Sequence, residues 1–368
     1  MEVLSLRAVN RATLARQLLV ERAARTAEEA VEHLVGLQAQ APFPPYTGLW
    51  TRLAGFRPEH LADALLERRV VRVVLMRGTV HLVTAADACF LRPLVQVIMD
   101  RDLGTNTLHA RHLAAVDVAK VADAARLALE ERSLTAKELG GVLAERWPDV
   151  PPGSLAHAAR GLLALVQVPP RAVWGRAGQT AYRTTEHWLG RPLDPAPELA
   201  RLVRRYLAAF GPATVNDIQA WSGLTRLREV VEPLRPELRV FADEQGRELF
   251  DLPDAPRPPA DLPVPVRFLP EFDNLLLSHA DRTRVIREEL RKRLFGVKNG
   301  VFPGTFLVDG FVRGAWRLTK QRKAATLTIT PWATVSKRDT AALVREGARM
   351  LEFAAADAQT RDVVMAPD

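Results

Sequence analysis

The chain has 368 residues, 26% of them charged, with a formal net charge of +8 and a pI near 10.1. This length exceeds what one core usually organises and implies two to four modules, and a 48% hydrophobic share excludes a disordered chain. A single cysteine, Cys89, excludes an intrachain disulfide and a cysteine-rich zinc site, and reads as a small buried apolar residue.

Of the 51 basic residues only seven are lysines. Arginine presents a planar fork that suits phosphate, so a polyanionic partner is one reading; arginine-for-lysine coding in a GC-rich genome is the other. No stretch approaches the ~18 consecutive apolar residues of a membrane span. The N-terminal apolar residues are interrupted by Arg7, Arg11 and Arg16, unlike a signal peptide, so the chain reads as cytoplasmic.

In chain order, the pattern predicts a helix over 7–20 and then a capping box, Thr26-Ala-Glu-Glu29. The following helix runs toward GLQAQAPFPP, where Pro42, Pro44 and Pro45 forbid its continuation. A helix over 58–68 and a strand pair, 70–76 with 79–83, complete the first set. The second set has a helix over 117–131, the box Thr135-Ala-Lys-Glu138, a helix over 153–167 and strands 171–175 and 180–184. The third has a helix over 198–210, the box Thr214-Val-Asn-Asp217, a helix over 224–233 and strands 238–242 and 247–252, joined by the turn Asp243-Glu-Gln-Gly246. Helix, capped helix, helix, hairpin is the order of a winged helix. Generic α+β sequence shows part of the same order.

Residues 251–265 are proline-rich and read as a stiff connector. Beyond it, PVRFL, RTRVI, GTFLVDGFVRGAWRL and AATLTIT read as strands, with an Asp309-Gly310 turn, and a helix over 340–358 closes a small β-barrel. The fold class is therefore α+β: three tandem winged helices and a C-terminal β-barrel. The boundaries are 1–84 for the first winged helix, 85–195 for the second and 196–252 for the third, with 253–368 holding the connector, barrel and last helix.

No G-x-G-x-x-G, Walker A or G-x-S-x-G sequence is present, so no nucleotide cofactor is implied. His109 and His112 could share a helix face, but no third ligand is placed for a metal. Most acids lie beside arginines on helix faces, a solvated salt-bridging pattern.

NRATLARQLL near the start, LQAQ at 37–40, MRGTVHLV at 76–83, FGPATVNDIQAWSGL at 210–224, FLPEFDNLLLSHADR at 268–282 and VFPGTFLVDGFVRGAWR at 301–317 resemble, in order, the AlkZ-like DNA glycosylases of actinobacteria. The resemblance implies a C-shaped body of three winged helices and a barrel. It further implies monofunctional removal of N7-alkylguanine from double-stranded DNA, including interstrand crosslinks made by natural products such as azinomycin, with no cofactor and a monomeric enzyme. The family's Gln-apolar-Gln signature falls on Gln38-Ala39-Gln40, implying Gln38 and Gln40 as the catalytic pair; read alone, the two amides could simply tie off a helix end.

The residues themselves are compatible with that chemistry. A cationic alkylguanine departs neutral without protonation, so two carboxamide oxygens could hold a water and face the positive sugar. Residues two apart project to one side of an extended chain but diverge by about 200° on a helix, so the helix is predicted to loosen near Gly36. Candidate DNA contacts are Arg77 and His81 beside the first wing turn, Lys298 and Asn299 in GVKNG, and Lys320, Arg322 and Lys323 at a basic hairpin tip. For Arg77 and His81, packing inside the wing is the competing role. Asp273 and Asn274 are expected to form a structural cap. The competing function is a non-catalytic winged-helix regulator or drug-sequestering resistance protein, which has no use for the glutamine pair. The lesion preferred, crosslink unhooking and a lyase step are left open.

Overall fold

The computed structural model describes residues 1–295 and 303–367. Its strands, in chain order, are β1 (Val3–Leu4), β2 (Leu37–Gln38), β3 (Val70–Val74), β4 (Val80–Thr84), β5 (Leu134–Thr135), β6 (Leu165–Gln167), β7 (Ala181–Thr184), β8 (Arg239–Asp243), β9 (Glu248–Asp251), β10 (Arg267–Leu269), β11 (Gly304–Val308), β12 (Phe311–Gln321), β13 (Ala324–Pro331) and β14 (Thr360–Met365). They form three sheets, ordered β2-β4-β3-β6-β7-β5, β1-β8-β9 and β10-β11-β12-β13-β14. The class is α+β.

All three capping boxes form. Thr26, Thr135 and Thr214 each accept from the backbone N–H three residues on, and Glu29, Glu138 and Asp217 reach back to the cap N–H at 2.8, 2.8 and 2.9 Å. They start the helices Ala27–His33, Ala136–Ala144 and Val215–Ser222. The helices Leu6–Arg16, Val118–Glu131 and Leu199–Phe210 precede them, and the pairs β3–β4, β6–β7 and β8–β9 follow. The first two pairs join edge to edge, because β3 also pairs with β6 through Arg72 opposite Gln167 and Val73 opposite Val166.

Three expectations are corrected. Residues 171–175 are not a strand; the strand is β6, which the periodicity assigned to the end of the preceding helix. That helix ends at Leu162 with Leu163 extended, and the chain turns at Pro169-Pro170. The 171–175 backbone is gripped instead by Tyr46, whose hydroxyl donates to Ala172 O at 2.7 Å and accepts from Trp174 N–H at 3.1 Å. Residues 282–286 are likewise a turn, with Val285 and Ile286 buried against Leu14 and Leu19.

The C-terminal sheet is not a closed barrel. β10 and β14 are its two edges, and β14 returns parallel to β13 after the crossover helix Lys337–Ala354. That helix covers the sheet face with Leu343, Met350 and Leu351, so the apolar surface is buried without closing the strands on themselves. The same cluster takes in Leu37, Ala39, Tyr46 and Leu82, so the segment after Gly36 is wedged between the N-terminal helices and the C-terminal sheet.

The proline-rich connector is strapped to the first helix by arginines. Arg11 Nε donates to Leu262 O at 2.8 Å, and Arg16 donates to Pro256 O while forming a fork on the Asp251 carboxylate at 2.6 and 2.9 Å. Cys89 is free and buried.

Candidate active site

The capped helix ends at His33, and the chain then takes two left-handed residues, Val35 at φ 54° and Gly36 at φ 89°. Glycine is required at the second: a Cβ there would stand 2.6 Å from Val83 Cγ1 and 3.0 Å from Leu82 O. The chain emerges extended as β2, antiparallel to β4 with Gln38 opposite His81, and Ala39 N–H donates to Val80 O at 2.7 Å. The helix therefore loosens slightly before the predicted point; Gln38 lies on β2, and Gln40, two residues on, sits at a bend.

The other edge of β2 has a side chain for a partner. Asn274 Nδ2 donates to Gly36 O at 2.6 Å and its Oδ1 accepts from Gln38 N–H at 3.3 Å, as a neighbouring strand would. Asn274 opens the short helix Asn274–Leu277, whose cap is Asp273, and the Asp273 carboxylate is held by the buried Arg52 fork at 2.8 and 2.7 Å. Asp273 is thus the expected cap, and Asn274 is a clamp on the motif.

The two glutamines differ. Gln38 is 8% exposed, and its Oε1 accepts from Arg77 Nη2 at 2.8 Å. Gln40 is exposed, and its Oε1 accepts from Val80 N–H at 3.3 Å, continuing the β-ladder through a side chain. Each oxygen keeps a second lone pair. Between them, Ala39 O accepts from Arg72 Nη2 at 2.6 Å. Burial, with the cation of Arg171 adding to it, pulls the Arg72 guanidinium down to about 10. Burial likewise brings Arg77 to about 10, with Arg282 contributing. Both remain cationic at neutral pH.

Arg77 and His81 do not lie on an open wing. The second terminal nitrogen of Arg77 donates to Trp221 O, and His81 is 1% exposed. Burial, then the Arg77 charge, lowers His81 to about 3, so the ring is neutral. Its Nδ1 contacts Thr79 O at 2.9 Å and must carry the proton, which leaves Nε2 as a buried acceptor without a partner among the described residues. Lys320, Arg322 and Lys323 are exposed at the β12–β13 turn, with Arg322 at φ 46°. Lys298 and Asn299 fall outside the described residues. His109 stacks on His157 at 4.3 Å, and no group of three metal-ligating side chains occurs among the described residues.

A groove of about 1580 Å³ has Phe43 and Lys320 among its lining residues, while Gln38 and Gln40 do not line it. Trp50, Trp174 and Trp316 form its walls, and Glu271 lies in it.

Compared with known proteins, residues 31–353 match the DNA glycosylase AlkZ-like family. The chain belongs to this family. As an AlkZ-like protein it is an enzyme of the DNA glycosylase class and a DNA-repair protein. An interstrand DNA cross-link repair glycosylase of Streptomyces sahachiroi is 24% identical over 361 residues, spanning 91% of this chain and 92% of that protein. The solved structure of Streptomyces sahachiroi DNA glycosylase AlkZ shares the fold, with a TM-score of 0.82 at 21% identity over 100% of both chains.

Sequence reading missed two residues of this AlkZ-like site. Arg72 was signalled by being the one charge in the apolar strand VVRVV. The clamp role of Asn274 had no local signal, since its targets lie more than 230 residues upstream. No described helix is long and apolar enough to cross a membrane.

Proposed function

We propose that this AlkZ-like chain is a monofunctional glycosylase for cationic N7-alkylguanine in double-stranded DNA, acting as a monomer in the cytoplasm, with Gln38 and Gln40 as the catalytic pair. The observation that carries the reading is the amide pair either side of Ala39, with Gln38 on β2 and Gln40 exposed at the bend that follows, in a chain that matches the AlkZ-like family. The C1′–N9 bond breaks with its electron pair passing to N9, which neutralises the purine cation already made by alkylation. Water adds to C1′ and its surplus proton leaves to solvent, giving an abasic sugar and neutral N7-alkylguanine.

The free lone pairs of the two amide oxygens orient that water and face the positive sugar. No general acid is needed, and the pair adds no negative charge beside phosphate. Lys320, Arg322 and Lys323 grip the DNA backbone, and the three helix-helix-helix-hairpin runs, 1–84, 85–195 and 196–252, act as winged helices in a C-shaped body. An open groove suits a lesion tethered to both strands, which cannot be flipped into a deep pocket; the Streptomyces sahachiroi relative is named as an interstrand DNA cross-link repair glycosylase.

The test uses duplex DNA carrying one N7-methylguanine. Alkali-labile abasic sites are expected with the wild type. Gln38→Ala and Gln40→Ala are each expected to lower the single-turnover rate by about 10²-fold. Tight duplex binding with no abasic sites in the wild type refutes the enzyme reading and favours a regulator.

A further inference from the structure

Resting on the glycosylase reading, we propose that Arg77 is the positioning residue of Gln38, fixing which end of its carboxamide is oxygen and holding that oxygen toward the site. A carboxamide can turn over by 180° with little change of shape, so an amide that works through its oxygen needs a partner that accepts only one orientation. Arginine is such a partner, because it carries donors and no acceptor. Nη2 of Arg77 lies 2.8 Å from Gln38 Oε1, and the opposite orientation would set N–H against N–H.

Arg77 is itself held in place. It sits at φ 56° in the tight turn Met76–Gly78 between β3 and β4. Its other terminal nitrogen donates to the carbonyl of Trp221, a residue 1% exposed and packed 5.1 and 5.6 Å from the rings of Tyr206 and Phe210. Its backbone is fitted against Gly223, where a Cβ would stand 3.1 Å from Arg77 Cα. No carboxylate pairs with it among the described residues, and its charged neighbour is another cation, Arg282. The half-buried guanidinium therefore gives one donor from each terminal nitrogen to a neutral oxygen of the protein, which is not the arrangement of a side chain reaching for phosphate. Arg77 acts through Gln38: it ties one lone pair of Oε1 and leaves the second for water.

The test is a double-mutant cycle on duplex DNA with one N7-methylguanine. Saturating single-turnover rates and duplex Kd are measured for wild type, Arg77→Met, Gln38→Ala and the double variant, with Arg77→Lys as the conservative change. Arg77→Met is expected to slow the saturated rate by about 10- to 100-fold, the loss of one charge-assisted hydrogen bond, with Kd within about twofold of wild type. Arg77→Lys is expected to recover most of the rate, and the double variant to be no slower than Gln38→Ala alone. Rate losses that multiply in the double variant, or a weakened Kd with the saturated rate intact, overturn the positioning role and leave the glycosylase reading standing. A folded wild type that releases no base overturns both. If Arg77→Met does not fold, the same cycle is run with Arg77→Ala, which also removes the donors, and independence from Gln38 again overturns the proposal.

Discussion

Gln38 and Gln40 carry the same carboxamide, yet one is tied to the half-buried Arg77 cation and the other rests on a backbone N–H at a solvent-open edge. The sequence predicts that the two amides share one side of an extended chain, whereas β2 ends at Gln38 and Gln40 sits at a bend. The inequality of the pair was not legible there, because the groups that make it unequal come from a turn 39 residues on and a helix more than 230 residues on. Glu271 is a third informative side chain. It lines the groove, and burial raises its carboxyl above the usual range, with only its own backbone N–H opposing. The folded protein then holds that proton more tightly than the unfolded chain does. Stability is complete below the unfolded value of about 4.3 and falls as pH rises through the folded value. Glu271→Gln removes this loss. Its melting temperature is expected to exceed that of wild type near pH 8 and to match it near pH 4. An equal difference at both pH values would show that Glu271 is not buried as a reluctant anion.

At the level of elements, the local signals were reliable where the chemistry is local. Each capping box needs only a hydroxyl and an acid three residues apart, and all three form. The strand β6 was misassigned because a short apolar run is compatible with a buried helix end or a buried strand, and only pairing with β3 and β7 decides it. The barrel was misjudged for a related reason: strand number and alternation say nothing about whether the last strand meets the first or returns parallel beside its neighbour. The helix-to-strand turn before Gln38 combines both kinds of information. Pro42, Pro44 and Pro45 announced that the helix must stop, whereas the need for glycine at 36 comes from Val83 pressing on it from β4. Gly36→Ala is expected to destabilise the fold by about 1–3 kcal/mol, from left-handed strain and the close approach together. Urea unfolding measures this, and the excision rate is expected to fall with it because β2 loses its register. A variant as stable as wild type would mean that Val83 and the turn relax at no cost.

Across the whole molecule, arginine number is a poor guide to surface charge. Arg11, Arg16, Arg52, Arg72, Arg92, Arg267 and Arg284 are buried, and most serve as rods that cross-link distant segments through backbone carbonyls or single carboxylates. The +8 balance therefore does not mark a uniformly basic surface, and a polyanion partner has to be argued from where exposed cations gather. One such place is the end of β12. β11 begins at Gly304 opposite Trp316, so Arg317–Gln321 extends past it, and the turn that follows carries Arg322 and Lys323. Lysine on a projecting strand edge also guards against edge-to-edge aggregation, so solubility and DNA grip compete as explanations. Salt dependence separates them. Each phosphate neutralised contributes about 0.9 to the slope of log affinity against log salt, so the triple change Lys320→Ala, Arg322→Ala and Lys323→Ala is expected to flatten that slope by up to about 3 and to weaken undamaged and lesion-bearing duplexes alike. Saturated single-turnover rates should change little, since these side chains are proposed to grip backbone phosphate and not the sugar. A slope unchanged by the triple substitution, accompanied by loss of soluble protein, would assign the basic turn to negative protection of the edge and move the DNA contacts elsewhere on the molecule.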